Sequence, residues 1–192
     1  IVIHSGLYER VTPGELRCVI GHECGHIHNQ HGVYNMLKQL MVAAGTSAAG
    51  LVSAQLMRLM TKGAEFLLNA WSRAAEVTCD RAGMICCERV EDAYSVNAKL
   101  LYGAAIGDRS SVNLEALKKQ LEMQKETLVR LEELMMDHPA SVRRIMAEME
   151  FAECEIFYRW RPELREAGQT ARSREETDER CRRYVDVVRN RT

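Results

Sequence analysis

Thr12-Pro13-Gly14-Glu15-Leu16-Arg17-Cys18-Val19-Ile20-Gly21-His22-Glu23-Cys24-Gly25-His26 is the stretch on which the reading of the chain turns. Its opening signals a helix start: Thr12 can cap, Pro13 suits the first helical position, and Glu15 stands three residues after Thr12 as a capping-box partner. The spacing predicts a helix over Pro13 to His31, stopped by Gly32, with Leu16, Val19, Ile20 and Ile27 as the stripe that faces a core. Its second half reads H-E-x-x-H. Residues four apart on a helix share a face, so His22 and His26 can reach one metal ion. Two neutral imidazoles on zinc, with a Glu beside the first, form the working core of a metalloprotease. In that reading Glu23 takes a proton from the attacking water and passes it to the leaving amine.

A third ligand decides the class. One solution places a His ten residues after the first, with a Gly seven after it. Those positions hold Gly32 and Asn29, so that class is excluded. His28 and His31 are off by two and one, and on a continuous helix they do not join the same facial triad; they read as polar residues of the helix surface. The other solution is a Glu on a second helix. Glu76 fits, followed one turn later by Asp80, which can orient a ligating His through its free ring nitrogen.

Further along, Ser72-Arg73-Ala74-Ala75-Glu76-Val77-Thr78-Cys79-Asp80-Arg81-Ala82-Gly83 resembles the S-R-x-x-E-x-x-x-D-R-A-G segment of the HtpX-like, CaaX-prenyl-endopeptidase-like zinc metallopeptidases, metallopeptidase family forty-eight of the gluzincin clan. Ile1-Val2-Ile3-His4-Ser5-Gly6-Leu7 and Glu15-Leu16 are similar to the approach to that family's metal helix. His138-Pro139 with Arg143-Arg144-Ile145 resembles its T-H-P-P-x-x-E-R-I, with Asp137 and Ala140 standing where Thr and Pro are commoner. The resemblance covers about residues 1 to 150. It implies a mainly α (α+β) fold, a gluzincin-type helical bundle with a small edge sheet. It implies zinc-dependent endoproteolysis with one zinc ion on His22, His26 and Glu76, Glu23 as general base, and Asp80 behind the ligands. It implies His138 and Arg144 at the substrate oxyanion or the active-site wall, although His138 also reads simply as a helix-start residue beside Pro139. An extended peptide is expected to pair with the strand Ile1 to His4.

The 192 residues carry 26 basic and 27 acidic side chains, a net charge of −1, which argues against nucleic acid or an anionic membrane as main partner. Polypeptide substrate is the expected partner; the oligomeric state is not legible. With 6% aromatics and 10 Met, the core is expected to be aliphatic and flexible-sided. Seven Cys without a C-x-x-C give neither a disulfide framework nor a zinc ribbon. They read as small buried hydrophobes of a reducing compartment. Location is expected to be cytoplasmic and bacterial-type. The chain opens on Ile1, so the natural chain is expected to be longer upstream or processed, part of the domain lying outside this sequence.

Gln39 to Met57 holds no formal charge but is rich in Ala, Gly, Ser and Thr, so it reads as a buried helix and not a span. Further helices are expected over Ala64 to Val90, Glu91 to Ala105 and Asn113 to Met136, and from Pro139 through Met149. Residues 161–192 hold nine Arg and seven acids, with Cys181, Tyr184, Val185 and Val188 as a helical stripe. We therefore expect a zinc metallopeptidase domain over 1–160 and a charged helical extension over 161–192 that docks. The leading function is a soluble zinc endopeptidase. A membrane-embedded quality-control or prenyl-type protease and an inactive zinc-stabilised partner-binding scaffold are the alternatives.

Overall fold

The Thr12 hydroxyl accepts from the Glu15 amide at 3.2 Å, and the Glu15 carboxylate accepts from the Thr12 amide at 2.7 Å, so the helix begins on a closed capping box. The computed structural model describes residues 1–34, 54–102 and 141–185, with residues 36, 39, 40, 43, 116 and 119. Its helices are α1 (Ser5–Tyr8), α2 (Pro13–His28), α3 (Ala54–Cys86), α4 (Val90–Tyr102), α5 (Ser141–Phe151), α6 (Glu155–Trp160) and α7 (Arg174–Val185), with a 3-10 turn at Pro162–Leu164. The mainly α class holds.

The expected strand at Ile1 to His4 is absent. Among the described residues only one isolated bridge, Cys154 with Arg172, has β pairing. Ile1, Val2 and Ile3 are exposed, and the His4 carbonyl accepts from the Leu7 and Tyr8 amides at 3.0 and 3.1 Å, which turns the chain straight into α1. A β-branched run becomes a strand only against a partner strand, and the described residues offer none.

Helix α2 stops earlier than expected, at His28. Both the backbone amide and the side-chain Nδ2 of Asn29 donate to the Gly25 carbonyl, at 3.0 and 2.8 Å, and Gln30 then takes the left-handed conformation at φ 54°. Asn29 thus closes the helix and Gly32 is not its stop. The core-facing stripe also differs. The buried positions of α2 are Gly14, Glu15, Cys18, Gly21 and Gly25, while Ile27 is 65% exposed. Cys18, Gly21 and Gly25 are small because α3 lies against them, while Gly14 and Glu15 face α4. A Cβ on Gly25 would sit 3.1 Å from the Cys79 Cα, one on Gly21 2.7 Å from the Cys86 Cβ, and one on Gly83 of α3 2.8 Å from the Cys18 carbonyl oxygen.

Helix α3 starts upstream of the expected Ala64 and ends at Cys86, short of Val90. Arg161 closes it, donating to the carbonyls of Ile85, Cys87 and Glu88. Helix α4 ends at Tyr102, the last described residue before 141–185 apart from 116 and 119; the loop at 107–111, the helix expected over Asn113 to Met136 and the His138-Pro139 break lie outside the described residues. So does most of Gln39 to Met57; no helix among the described residues is long and apolar enough to cross a membrane.

The main core joins Cys18, Met84, Tyr94, Val96, Ile145, Phe151 and Phe157 from α2 to α6. Among the described residues it is less aliphatic than the composition suggests: Phe151, Phe157 and Tyr158 gather at its α5–α6 end, and Met84 is the one fully buried methionine. Cys18, Cys79, Cys87, Cys154 and Cys181 are buried and all seven thiols are free, so most serve as small apolar residues as expected. Cys181, with Tyr184 and Val185, packs on Val77 and Ala147, so α7 docks as its stripe predicts.

Gly83→Ala tests the close crossing. The added methyl meets backbone, so despite Ala's better helix propensity the variant is expected to lose about 1–3 kcal/mol in urea unfolding. A neutral or stabilising result would mean that the helices have room to part. Glu15 gives a pH-dependent test. Burial alone would raise its carboxyl, but Lys99 at 2.8 Å, Ser95 at 2.5 Å and the Thr12 amide outweigh that and hold it below the ordinary range. A depressed folded value contributes stability that is present above about pH 4.3 and lost as pH falls through the folded value. Glu15→Gln keeps the cap but leaves the half-buried Lys99 without its counter-charge. It is expected to cost about 1.5–3 kcal/mol at neutral pH, a deficit that shrinks in acid.

Candidate metal centre

Helix periodicity places His22 and His26 one turn apart on α2, facing α3. Their Nε2 atoms lie 3.0 Å apart. Glu76 of α3 meets both: its Oε2 is 3.5 Å from His22 Nε2 and its Oε1 is 3.4 Å from His26 Nε2. Two imidazole nitrogens and a 5%-exposed carboxylate thus converge on one point, a donor set that suits a divalent cation. The structure thus brings His22, His26 and Glu76 together.

Asp80, one turn along α3, sits behind the trio. Its Oδ1 is 2.9 Å from His22 Nδ1, so the proton of His22 is held on Nδ1 and the Nε2 lone pair points to the cluster. Arg144 of α5 forks onto Asp80, with Nε 2.8 Å from Oδ2 and Nη2 2.5 Å from Oδ1, and its Nη1 is 3.4 Å from Glu76 Oε2. Burial pushes the Asp80 carboxyl upward, but Arg144 and then His22 outweigh it and keep it below the ordinary range. Burial likewise works against the Arg144 charge, and Asp80 and Glu76 more than restore it. The resemblance sets Arg144 at the substrate oxyanion or the active-site wall; here its guanidinium faces Asp80, Glu76 and His22 and lines the cavity beside Glu23. Behind it, burial and the charge of Asp80 push Glu148 well above the carboxylate range, and Asn97 donates to it at 2.8 Å.

Glu23 is exposed and lines a cavity of about 350 Å³ together with Leu7, His22, Glu76, Leu100 and Arg144. A chain approaching through this opening reaches Glu23 and the His22 edge of the cluster together. His138 lies outside the described residues.

One participant was misread in the sequence. His31 is 6% exposed, not a surface residue. Since α2 ends at His28, the Gln30 turn swings His31 back, and its Nδ1 stands 2.9 Å from His26 Nδ1 and 3.4 Å from Cys79 Sγ. Burial, and next the charge of His26, keep His31 below the ordinary histidine value. Burial and Glu76 push the Cys79 thiol up to about 12. Asn29 before His31 is the local signal that the helix does not run through.

Comparison with known proteins gives a consistent answer. The model of Peptidase family M48 matches residues 1–150. Plastoglobule-localized metallopeptidase 48, chloroplastic, of Arabidopsis thaliana is 34% identical over 121 residues, 62% of this chain. The match covers 33% of that protein, so the chain spans about a third of its length. No solved structure matches.

Arg144 is expected to bind the two sides of the site together. Arg144→Met leaves the Asp80 and Glu76 carboxylates buried without that counter-charge, at a cost of about 3–5 kcal/mol to the metal-free chain in urea unfolding. Adding Asp80→Asn should recover part of that loss. Additive losses in the double variant would show that the fork carries no coupling.

Proposed function

The chain belongs to peptidase family M48, and from that premise we propose that it is a zinc-dependent endopeptidase whose metal ligands are His22, His26 and Glu76. The observation that carries this is the convergence of both His Nε2 atoms on the two oxygens of Glu76, with Glu23 beside them at an open cavity. Two imidazoles and one carboxylate also suit ferrous iron. The adjacent general base and the family favour zinc and hydrolysis.

Zinc bound there would supply a water acidic enough to ionise near neutral pH and an electrophile toward the scissile carbonyl. Glu23 then has a defined task. As its carboxylate it accepts a proton from the attacking water, and it later gives that proton to the amide nitrogen as the C–N bond breaks, so that a neutral amine leaves. Its exposure leaves it free to touch substrate, whereas Glu76 is buried and fixed. Asp80 holds the proton of His22 on Nδ1 and keeps Nε2 available. Arg144 acts through Asp80 and Glu76, fixing both carboxylates. His138 keeps, as part of the proposal, the oxyanion role that the resemblance implies. The soluble state expected from the polar content of Gln39 to Met57 belongs to the same proposal, and alkaline extraction of membranes checks it.

The test separates ligand from base. Glu23→Gln should retain zinc at one equivalent and lose about 10²–10⁴-fold in casein cleavage, because only the proton carrier is gone. A chelator should silence the wild type, and added zinc should restore it. Cleavage at the wild-type rate in Glu23→Gln would overturn the assignment.

A further inference from the structure

The proposed function uses one nitrogen of each ligating histidine and leaves the other to be accounted for. A neutral imidazole carries one proton, so with Nε2 on a metal the proton sits on Nδ1, and a half-buried N–H needs an acceptor. At His22 that acceptor is the Asp80 carboxylate at 2.9 Å. At His26 the atom within reach is Nδ1 of His31, also at 2.9 Å. We propose that His31 is the positioning residue of the second metal-ligating histidine, accepting the Nδ1–H of His26 and so fixing the ring that presents Nε2 to the metal. This rests on the zinc reading given above.

The surroundings hold His31 to that task. Its ring stands edge-on to Trp71, with centroids 5.2 Å apart and planes at 88°, and Trp71 in turn meets Tyr34 at 4.3 Å with the planes tilted by 32°. The aromatic wall leaves the imidazole little freedom to rotate. With its Nδ1 lone pair turned to His26, His31 carries its own proton on Nε2. The two braces therefore differ in kind: a carboxylate makes His22 a more basic ligand, whereas a neutral imidazole orients His26 without adding charge.

The same atoms admit another occupant. His26 Nδ1, His31 and Cys79 Sγ lie within 4.8 Å of one another, a spacing that fits a second cation. Two protons would have to leave for it, one from an imidazole already ligating through Nε2 and one from a buried thiol. A hydrogen bond needs neither, and it is the reading the geometry favours.

The experiment measures zinc affinity by chelator competition on the whole chain, with zinc per chain counted by elemental analysis and melting of the metal-free chain as the folding control. His31→Phe keeps a ring against Trp71 but removes the acceptor; His31→Asn places an amide oxygen close to where Nδ1 stands. Zinc is expected to bind about 10–100-fold more weakly to His31→Phe, and most of the loss should be recovered in His31→Asn, with one ion per chain throughout. Unchanged affinity in His31→Phe, or an equal loss in both variants, overturns the brace while leaving the zinc reading intact. Two ions in the wild type, with one lost in His31→Phe, would replace the brace with a second metal site. A wild type that holds no zinc overturns the zinc reading and the brace with it.

Discussion

Everything at this site depends on how closely α2 and α3 approach. An imidazole on one helix and a carboxylate on its neighbour share a point in space only when the backbones between them nearly touch. Gly25 and Gly83 provide that, each placed so that a methyl group would press on the backbone of the opposite helix. Where α2 meets α3 most closely it presents Cys18, Gly21 and Gly25, with His22 and His26 beside them. Packing and chemistry are therefore not separable here. The residue between Cys24 and His26 in the motif is a contact surface, and its size sets the distance from His26 to Glu76.

The charges obey the same economy. Asp80 and Glu76 are buried and the Arg144 side chain is only 13% exposed, at a desolvation cost that mutual pairing offsets. Placing them side by side lets α5 clamp α3 and hold the histidine face of α2 with one guanidinium. Glu148 lies one turn along α5 from Arg144, where burial and the nearby Asp80 charge push its carboxyl upward. Around Asp80 two carboxylates face one guanidinium, and a divalent cation at the histidines would supply the remaining positive charge.

Much of this was legible in the sequence, and the reasons are physical. The capping box, the H-E-x-x-H spacing and the E-x-x-x-D spacing are statements about helix geometry, and helix geometry is local. The docking stripe of Cys181, Tyr184 and Val185 was readable for the same reason. What escaped was decided by contact across the fold. Ile1 to His4 has strand-forming side chains but meets no strand among the described residues. Ile27 has the spacing of a core residue but faces outward, because the crossing at Gly21 and Gly25 fixes which side of α2 is covered. His31 looked like a surface residue only on the premise of a continuous helix. Asn29 and the left-handed Gln30 cancel that premise and reverse its meaning.

The site is drawn from distant parts of the chain: His22 and Asp80 are 58 residues apart, and His22 and Arg144 122. This has a consequence for biosynthesis. At roughly 5–20 residues per second of translation, the metal helix waits on the order of 6–24 s for its last buried partner to leave the ribosome. Until then α2 and α3 can meet, but the Asp80 and Glu76 carboxylates lack the guanidinium that pairs with them. A site assembled in this way is complete only after the long-range clamp closes. The sequence separation of its parts works as a delay.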